Sequence, residues 1–304
     1  MTRPWQRWAL SLGVLGALLL WLDPSRIGAE VARLHPGWLL LALVTATAQT
    51  ALSAWRWRYT ASRLGLRLSP TEAIADYYLA GFVNQVVPGG VIGDAWRAQR
   101  HARVSGRTGP AWRAVILERA SGQLIVVALA LLVLLVLAPW QQALVSIPAS
   151  GYLWPLLVGV VGLSVIAMGL RGRWQPLLGL LQEDINRALL APTAWPRQLG
   201  SSLLIVLSYL LVFACAARGI GLDGPLTQLM LLALPVLLAM LIPLSVAGWG
   251  FREGAAAGVW LLSGLPPEQG VAVSIAYGVT VLLASLPGAL VLSVRSSAQA
   301  HIDQ

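Results

Sequence analysis

Lysine is absent from this chain of 304 residues, and all 21 of its basic residues are arginine. The absence excludes a Walker A loop, whose lysine reaches the nucleotide phosphates, and catalysis through a lysine Schiff base. The one cysteine, Cys215, lies in an apolar run and has no partner for an intramolecular disulfide. The three histidines, His35, His101 and His301, are too far apart for ligand spacing. We therefore expect no metal and no cofactor.

Charge is also scarce. Only 11% of the residues are charged and 57% are hydrophobic, with a mean hydropathy of +0.73, whereas soluble domains carry about 25% charged residues. Uncharged runs are long, and the run from Ala120 to Leu170 is long enough for two spans because about 20 apolar residues cross a bilayer. The composition predicts an all-α polytopic integral membrane protein. The formal charge of +9 then indicates topology and anionic lipid rather than nucleic acid.

Eight helical units are predicted along the chain. Six are full spans, near residues 5–22, 37–55, 114–137, 151–170, 198–217 and 270–294. The other two, Thr71–Gly90 and Pro225–Gly264, are interrupted by proline and glycine, and each reads as two short helices that meet at a break. Re-entrant hairpins and pairs of complete spans both remain open for these two stretches. The residues that form the breaks are Pro88, Gly89, Gly90, Gly93, Pro243, Gly248 and Gly250.

The arginines predict the orientation of these units. With both termini in the cytoplasm, the cytoplasmic segments hold 16 of the 21 arginines, including the nine from Arg56 to Arg113. The outer segments hold three, and Arg119 and Arg252 fall at membrane depth. The single domain 1–304 then divides into halves 1–138 and 151–295. Each half has three spans and one hairpin, so the halves have opposite orientations, as in inverted-repeat transporters. Residues 172–196 are predicted to form an amphipathic helix on the inner leaflet, with Asp184 on its polar side.

Several charges fall where the bilayer is expected. A charge near the bilayer centre costs about 2.5–3.5 kcal/mol, so it usually faces a partner or a cavity. The helix breaks also free backbone groups that persist at this depth only against protein or water. A wet cavity with arginine and free N–H groups suits a phosphate. The candidate substrate-binding residues are Asn84, Gln85, Asp94, Arg97, Glu118, Arg119, Arg252 and Glu253, with Asp76 as a further charge at this depth. By contrast, Arg100, Arg103, Arg107 and Arg113 are predicted to form a solvated basic face on anionic headgroups.

Four ordered motifs resemble a known family. They are "NQVVPGGVIGDAWR" at 84–97, "ERASG" at 118–122, "PLSVAGWGFREG" at 243–254 and "LPPEQGVAVSIAYGVTVLL" at 265–283. Together they resemble the lysylphosphatidylglycerol synthase transmembrane, or flippase-like, family over residues 35–295. The resemblance implies a multi-pass protein of the bacterial inner membrane that handles lipids with polar headgroups. The namesake members add a soluble aminoacyl-transferase domain; this chain stops at Gln304, so synthase activity is not expected.

Translocation or binding of a polar-headgroup lipid is the function we predict. The lipid would be an aminoacylated or other anionic phospholipid, or a lipid-linked intermediate. Asp94, Arg97, Arg252 and Glu253 would line a central polar site that Glu118 and Arg119 support. The partners would be membrane lipids, with a homo-oligomer or a separate lipid-modifying enzyme as further partners. A membrane enzyme or accessory subunit, and a structural partner without its own substrate, remain alternatives, although no catalytic constellation is found.

Overall fold

The structure, a computed structural model, describes residues 34–87, 90–136, 179–240 and 248–302. These ranges are helical, and none of them contains a strand. The helices are α1 (Pro36–Arg63), α2 (Pro70–Val86), α3 (Ile92–Ser105), α4 (Thr108–Val136), α5 (Trp195–Gly219), α6 (Leu226–Ala239), α7 (Phe251–Leu262), α8 (Pro267–Ser285) and α9 (Pro287–Ile302). The predicted all-α class is confirmed.

Four helical segments are long and apolar enough to cross a membrane: Pro36–Arg63, Thr108–Val133, Trp195–Gly219 and Pro267–Arg295. They coincide with four of the six predicted full spans. The other two, 5–22 and 151–170, lie outside the described residues. The last segment contains a break, since α8 ends at Ser285 and α9 begins at Pro287.

Helix α1 is longer than predicted. Its first turn is capped by His35, whose Nδ1 accepts a hydrogen bond from the backbone N–H of Gly37 at 3.2 Å. The sequence predicted an end near residue 55, because the arginines that follow read as a cytoplasmic segment. The helix instead continues for two further turns to Arg63. Arg56 and Thr60 on these turns are buried against α5, which explains the extension.

Helices α2 and α3 form the first broken hairpin. Ser69 caps α2, with its hydroxyl accepting from the N–H of Glu72 at 3.3 Å and donating to the Glu72 carboxylate at 2.7 Å. The second of these hydrogen bonds holds the pKa of Glu72 below its usual value. At the far end α2 stops at Val86, and Gly90 has a left-handed φ of 61° before α3 begins. Pro88 and Gly89, which were predicted to break this helix, lie outside the described residues.

Helices α6 and α7 form the second broken hairpin. Pro235 lies inside α6, and Gly248 and Gly250 precede α7 with left-handed φ values of 84° and 89°. Only glycine adopts this conformation without strain, so both predicted break glycines lie at a sharp turn of the backbone. The Glu253 carboxylate accepts from the N–H of Gly250 at 2.6 Å and caps α7. Pro243 lies outside the described residues.

Helices α1 and α5 pack side by side in opposite directions. The backbone N–H of His35 donates to the carbonyl of Gly219 at 2.7 Å, and Gln198 donates to the Thr60 hydroxyl at 2.9 Å at the other end of the pair. We call the end that holds the C-terminus of α1 the basic end, because it carries exposed or half-exposed arginines. These are Arg58, Arg63, Arg67, Arg103, Arg107, Arg187 and Arg197.

Part of the predicted amphipathic segment is described. Residues 179–185 are α-helical, and Asn186–Leu190 form a π-helical turn. Asp184 was predicted on the polar, solvated side, but it is only 8% exposed. The reason is an ion pair with Arg113, which was itself predicted to face headgroups. The ion pair between Asp184 and Arg113 therefore holds this segment against α4.

Candidate functional site

The tip of the first hairpin is held together by Asn84. Its side-chain oxygen accepts from the N–H of Gly93 at 2.8 Å, and its Nδ2 donates to Oδ2 of Asp94 at 2.9 Å. Gly93 packs directly on the backbone of Ala80, where an added Cβ would overlap the carbonyl group. The break therefore depends on Gly93, which lets α2 and α3 approach closely, and on the Asn84 amide, which belongs to α2 and hydrogen-bonds to α3.

Five charged side chains meet behind this tip, and we call them the arginine–carboxylate cluster. Glu118 receives one arginine on each oxygen: Arg56 Nη2 lies 2.6 Å from Oε1 and Arg97 Nη2 lies 2.7 Å from Oε2. Asp94 likewise receives Arg97 Nε at 2.9 Å on Oδ1 and Arg119 Nη2 at 2.5 Å on Oδ2. Three guanidinium groups thus face two carboxylates, which leaves the cluster with one surplus positive charge.

The five members of the cluster belong to three helices, and a hydrogen bond to Ser202 adds a fourth helix. Arg56 belongs to α1, Asp94 and Arg97 to α3, and Glu118 and Arg119 to α4. Arg56 also donates to the hydroxyl of Ser202 on α5 at 2.9 Å. Charge-assisted hydrogen bonds of this kind are stronger than neutral ones, and low dielectric strengthens them further.

Arg97 lies at the centre of the cluster and is fully buried. Its guanidinium carbon is 4.6 Å from the ring centroids of both Trp57 and Tyr77, so two aromatic rings pack against it. Such cation–π contacts favour a desolvated guanidinium. Arg97 therefore positions Asp94 and Glu118 from within the protein and does not reach a solvent-filled space.

A second charged cluster lies at the start of α7. Arg252 Nη2 is 2.7 Å from Oε1 of Glu253, and the Ser274 hydroxyl of α8 bonds to the same oxygen at 3.0 Å. The Arg252 guanidinium carbon lies 4.8 Å from the Trp249 ring and 5.4 Å from the Tyr277 ring. Both charges are buried and cancel each other. This arrangement fixes the turn before α7.

A cavity of about 640 Å³ lies between the two hairpin tips. Gly90 and Gly248 from the two breaks both line it. Of the predicted site residues, four line its wall and four do not. The four on the wall are Asn84, Gln85, Asp94 and Arg119; Arg97 and Glu118 stand behind the wall, and Arg252 and Glu253 lie in the second cluster.

The structure thus differs from the prediction that Asp94, Arg97, Arg252 and Glu253 line one site with Glu118 and Arg119 in support. The register of α4 gives the reason. Glu118 points to Arg56 and Arg97 and is fully buried, whereas the next residue, Arg119, points to the cavity and keeps 38% of its side chain exposed. Two adjacent residues of opposite charge therefore have different surroundings.

Several wall groups have no hydrogen-bond partner among the described residues. They are the buried atoms Nε of Arg56, Nε of Arg119, Oε1 of Gln85 and the Tyr277 hydroxyl. These atoms are themselves covered by protein, so the cation that a ligand in the cavity can reach is the rest of the Arg119 guanidinium, whose side chain is 38% exposed.

Sequence reasoning missed Arg56, because it stood first in an arginine-rich stretch that was read as a cytoplasmic face. A signal was present in the sequence. Gln49, Ser53, Arg56 and Thr60 recur at intervals of four, three and four residues, which places four polar side chains on one face of a helix. Gln49, Ser53 and Arg56 line the cavity, together with the equally unpredicted Tyr77, Tyr209 and Tyr277.

A third group of charges lies nearer the basic end. Asp76 is fully buried and accepts from Arg100 Nη1 at 2.5 Å and from Arg295 Nη1 of α9 at 2.6 Å. The expectation that Arg100 and Arg113 form a solvated basic face is therefore wrong, since each pairs with a carboxylate. Arg103 and Arg107 are exposed.

Comparisons with known proteins place the chain in a family. No curated protein and no solved structure matched it. The model of the lysylphosphatidylglycerol synthase transmembrane region matches residues 8–288, which include α1 to α8, the arginine–carboxylate cluster and both hairpins. The chain therefore belongs to the lysylphosphatidylglycerol synthase transmembrane family.

Proposed function

We propose that this protein binds the polar headgroup of a membrane lipid in the cavity between the hairpin tips and moves it between the two leaflets. One observation carries the proposal: Arg119 lines the cavity with 38% of its side chain exposed and belongs to a cluster that has one surplus positive charge. Membership in a family named for the handling of a phospholipid headgroup supports it. Lipid tails would remain against apolar wall residues such as Ile116 and Val126.

The proposed architecture is an inverted repeat of residues 1–138 and 151–295. Contacts between helices support it because they occur in matching pairs. α1 packs on α2, α4 and α8, and its counterpart α5 packs on α6, α8 and α4. Likewise α2–α3 and α3–α4 are matched by α6–α7 and α7–α8. The antiparallel pair α1–α5 would lie on the axis that relates the two halves.

We further propose that both hairpins are re-entrant. Their helices contain 17, 14, 14 and 12 residues, and at 1.5 Å per residue these span about 18–26 Å, less than the ~30 Å hydrocarbon core. The first hairpin follows the C-terminus of α1 and enters from the basic end. The second follows the C-terminus of α5 and enters from the opposite end. By the positive-inside rule the basic end faces the cytoplasm of an inner-membrane protein.

This geometry suggests how a headgroup would cross. Each tip closes the cavity from one side, and withdrawal of one tip would open the site to one leaflet. The buried second cluster would keep α7 rigid while its hairpin moves, and the arginine–carboxylate cluster would hold the wall around the bound phosphate. Glycines at the breaks are suited to such motion because they absorb changes in φ and ψ.

The test is translocation of labelled lipid by the purified chain in proteoliposomes. We expect Arg119→Gln to lower the rate at least about tenfold, since a hydrogen bond to a charged group contributes about 1.5–3 kcal/mol. Arg119→Lys, which keeps the charge, should retain more of the rate. Asp94 keeps Arg97 and Asn84 as partners in both variants, so neither should unfold.

Arg187→Gln is the matched control, because this arginine is 63% exposed at the basic end and pairs only with Glu183 among the described residues. It should translocate as the unmodified chain does. Equal rates for Arg119→Gln and the unmodified chain would contradict the proposal. Chemical conversion of the lipid without translocation would contradict it as well, in favour of an enzyme.

A further inference from the structure

We infer that the headgroup carried in this cavity is a net anion, with a phosphate and neutral hydroxyl groups, and not an aminoacylated or other amine-bearing headgroup. The inference rests on the proposed function and names its substrate class. It comes from the charges available at the cavity wall, which offer positive charge to a ligand but no free carboxylate.

Asp94 is the carboxylate on the described part of the cavity wall, and its oxygens are already occupied. Oδ1 accepts from Arg97 at 2.9 Å, and Oδ2 accepts from Arg119 at 2.5 Å and from Asn84 at 2.9 Å. Asp94 is only 7% exposed. Three of its about four acceptor positions are therefore taken, and the carboxylate is too buried to offer the last one freely to an ammonium group.

Glu118 is no alternative acceptor. It is fully buried behind the wall and accepts from Arg56, Arg97 and Tyr77. The sequence adds a further limit, because residues 88–89, 137–178 and 241–247, which the structure does not describe, contain no aspartate or glutamate. The acidic residues outside the described ranges are Asp23, Glu30 and Asp303, all near the chain ends.

Aromatic rings that would otherwise bind an ammonium group are partly occupied as well. Tyr77 has the Arg97 guanidinium carbon 4.6 Å from its ring centroid, and Tyr277 has that of Arg252 at 5.4 Å. An ammonium over either ring would meet a like charge. A cation, by contrast, is exposed to the cavity, since Arg119 lines the wall and keeps 38% of its side chain exposed.

Neutral hydrogen-bonding groups complete the wall and define the rest of the headgroup. They are Gln49, Ser53, Gln85, Gln123, Tyr209 and Tyr277. Amides and hydroxyls both donate and accept, so they match the hydroxyl groups of a glycerol or a sugar. A phosphate on the arginine side with hydroxyls on this side would satisfy the wall.

The experiment compares three labelled lipids in proteoliposomes that contain the full chain: phosphatidylglycerol, phosphatidylethanolamine and lysylphosphatidylglycerol. We expect phosphatidylglycerol to be translocated about tenfold faster than lysylphosphatidylglycerol, because the latter brings a positive charge to a positive site. Phosphatidylethanolamine should fall between them. A lysylphosphatidylglycerol rate equal to or above that of phosphatidylglycerol would overturn the inference.

Gln123→Glu provides the second arm. Gln123 lies one turn beyond Arg119 on α4, and the substitution adds a carboxylate of the same shape to the wall. It should lower the rate for phosphatidylglycerol and raise that for lysylphosphatidylglycerol. Gln182→Glu adds the same charge at an exposed position of residues 179–185 and should leave the preference unchanged.

The outcomes separate the two proposals. If the unmodified chain moves none of the three lipids, the proposed function fails. If it moves all three at one rate and Gln123→Glu changes nothing, the function stands and the substrate class fails. An unchanged preference in Gln123→Glu also counts against the inference when the lipids do move at different rates.

Discussion

Removing the charge of Glu118 tests whether the arginine–carboxylate cluster holds the helices together. In the Glu118→Gln variant, three guanidinium groups would face a single carboxylate, so the surplus positive charge rises from one to two. Arg56 and Arg97 lose the anion that each contacts at 2.6 Å and 2.7 Å. Their side chains are 4% and 0% exposed, so water cannot replace it.

The expected magnitude follows from this burial. Removing one partner of a buried ion pair costs about 3–5 kcal/mol, because the remaining charge is left uncompensated. The amide oxygen that replaces a carboxylate oxygen in this variant can still accept a hydrogen bond from an arginine. We therefore take the lower end of this range, about 3 kcal/mol, as the loss in free energy of unfolding. One kcal/mol shifts Tm by about 2–4 °C in chains of 150–250 residues, and less in longer ones. We expect a fall in Tm of at least about 5 °C.

Thermal unfolding in detergent, followed by tryptophan fluorescence, measures this change. Glu183→Gln is the control, since Glu183 and Arg187 form an exposed pair worth at most about 0.5 kcal/mol. The double variant Arg56→Leu with Glu118→Gln restores the original surplus charge and should lose less than the sum of the two single variants. A Glu118→Gln protein with the same Tm as the unmodified chain would refute the reasoning.

Two further predictions concern the fold. Gly93→Ala should lower Tm clearly more than Gly81→Ala, because an added Cβ overlaps the Ala80 backbone at the first position and has open space at the second; equal melting would show that α2 and α3 are not in close contact. The second prediction uses a Cys215→Ala background, in which Thr71→Cys and Asp223→Cys should react with a membrane-impermeant maleimide from opposite faces of the membrane. Asp223→Cys should be labelled in intact cells. Labelling of both variants from one face would exclude the proposed hairpin arrangement.

The four described spans and the break glycines at 90, 93, 248 and 250 were predictable because each follows from local sequence. Apolar runs located the helices that match α1, α4, α5 and α8–α9, and glycines located the two turns. Helix ends were less predictable where charge was buried. The arginine at position 56 looked like the start of a cytoplasmic segment, and only its contact with Glu118, 62 residues away, shows why α1 continues.

The site was predictable in part for the same reason. Asp94 and Arg119 stood out as charges beside a break, and both line the cavity. The roles of neighbours could not be assigned, because Glu118 and Arg119 differ by one helical step that turns one inward and the other to the cavity. Tyr77 and Ser202 carry no charge and offered no signal of their own.

The long sequence separation within the cluster has a consequence for biosynthesis. A ribosome delivers Arg56 to the membrane well before Glu118 and Arg97 exist, and Ser202 follows 146 residues after Arg56. Early in synthesis, α1 therefore holds a cation without its anion, two turns from its own C-terminal end and within reach of the lipid headgroups. We therefore expect α1 to reach its final position only after α4 has entered the membrane. The charges that stabilise the finished protein thus also set an order of assembly, in which the ion pairs of α1 are completed by later helices.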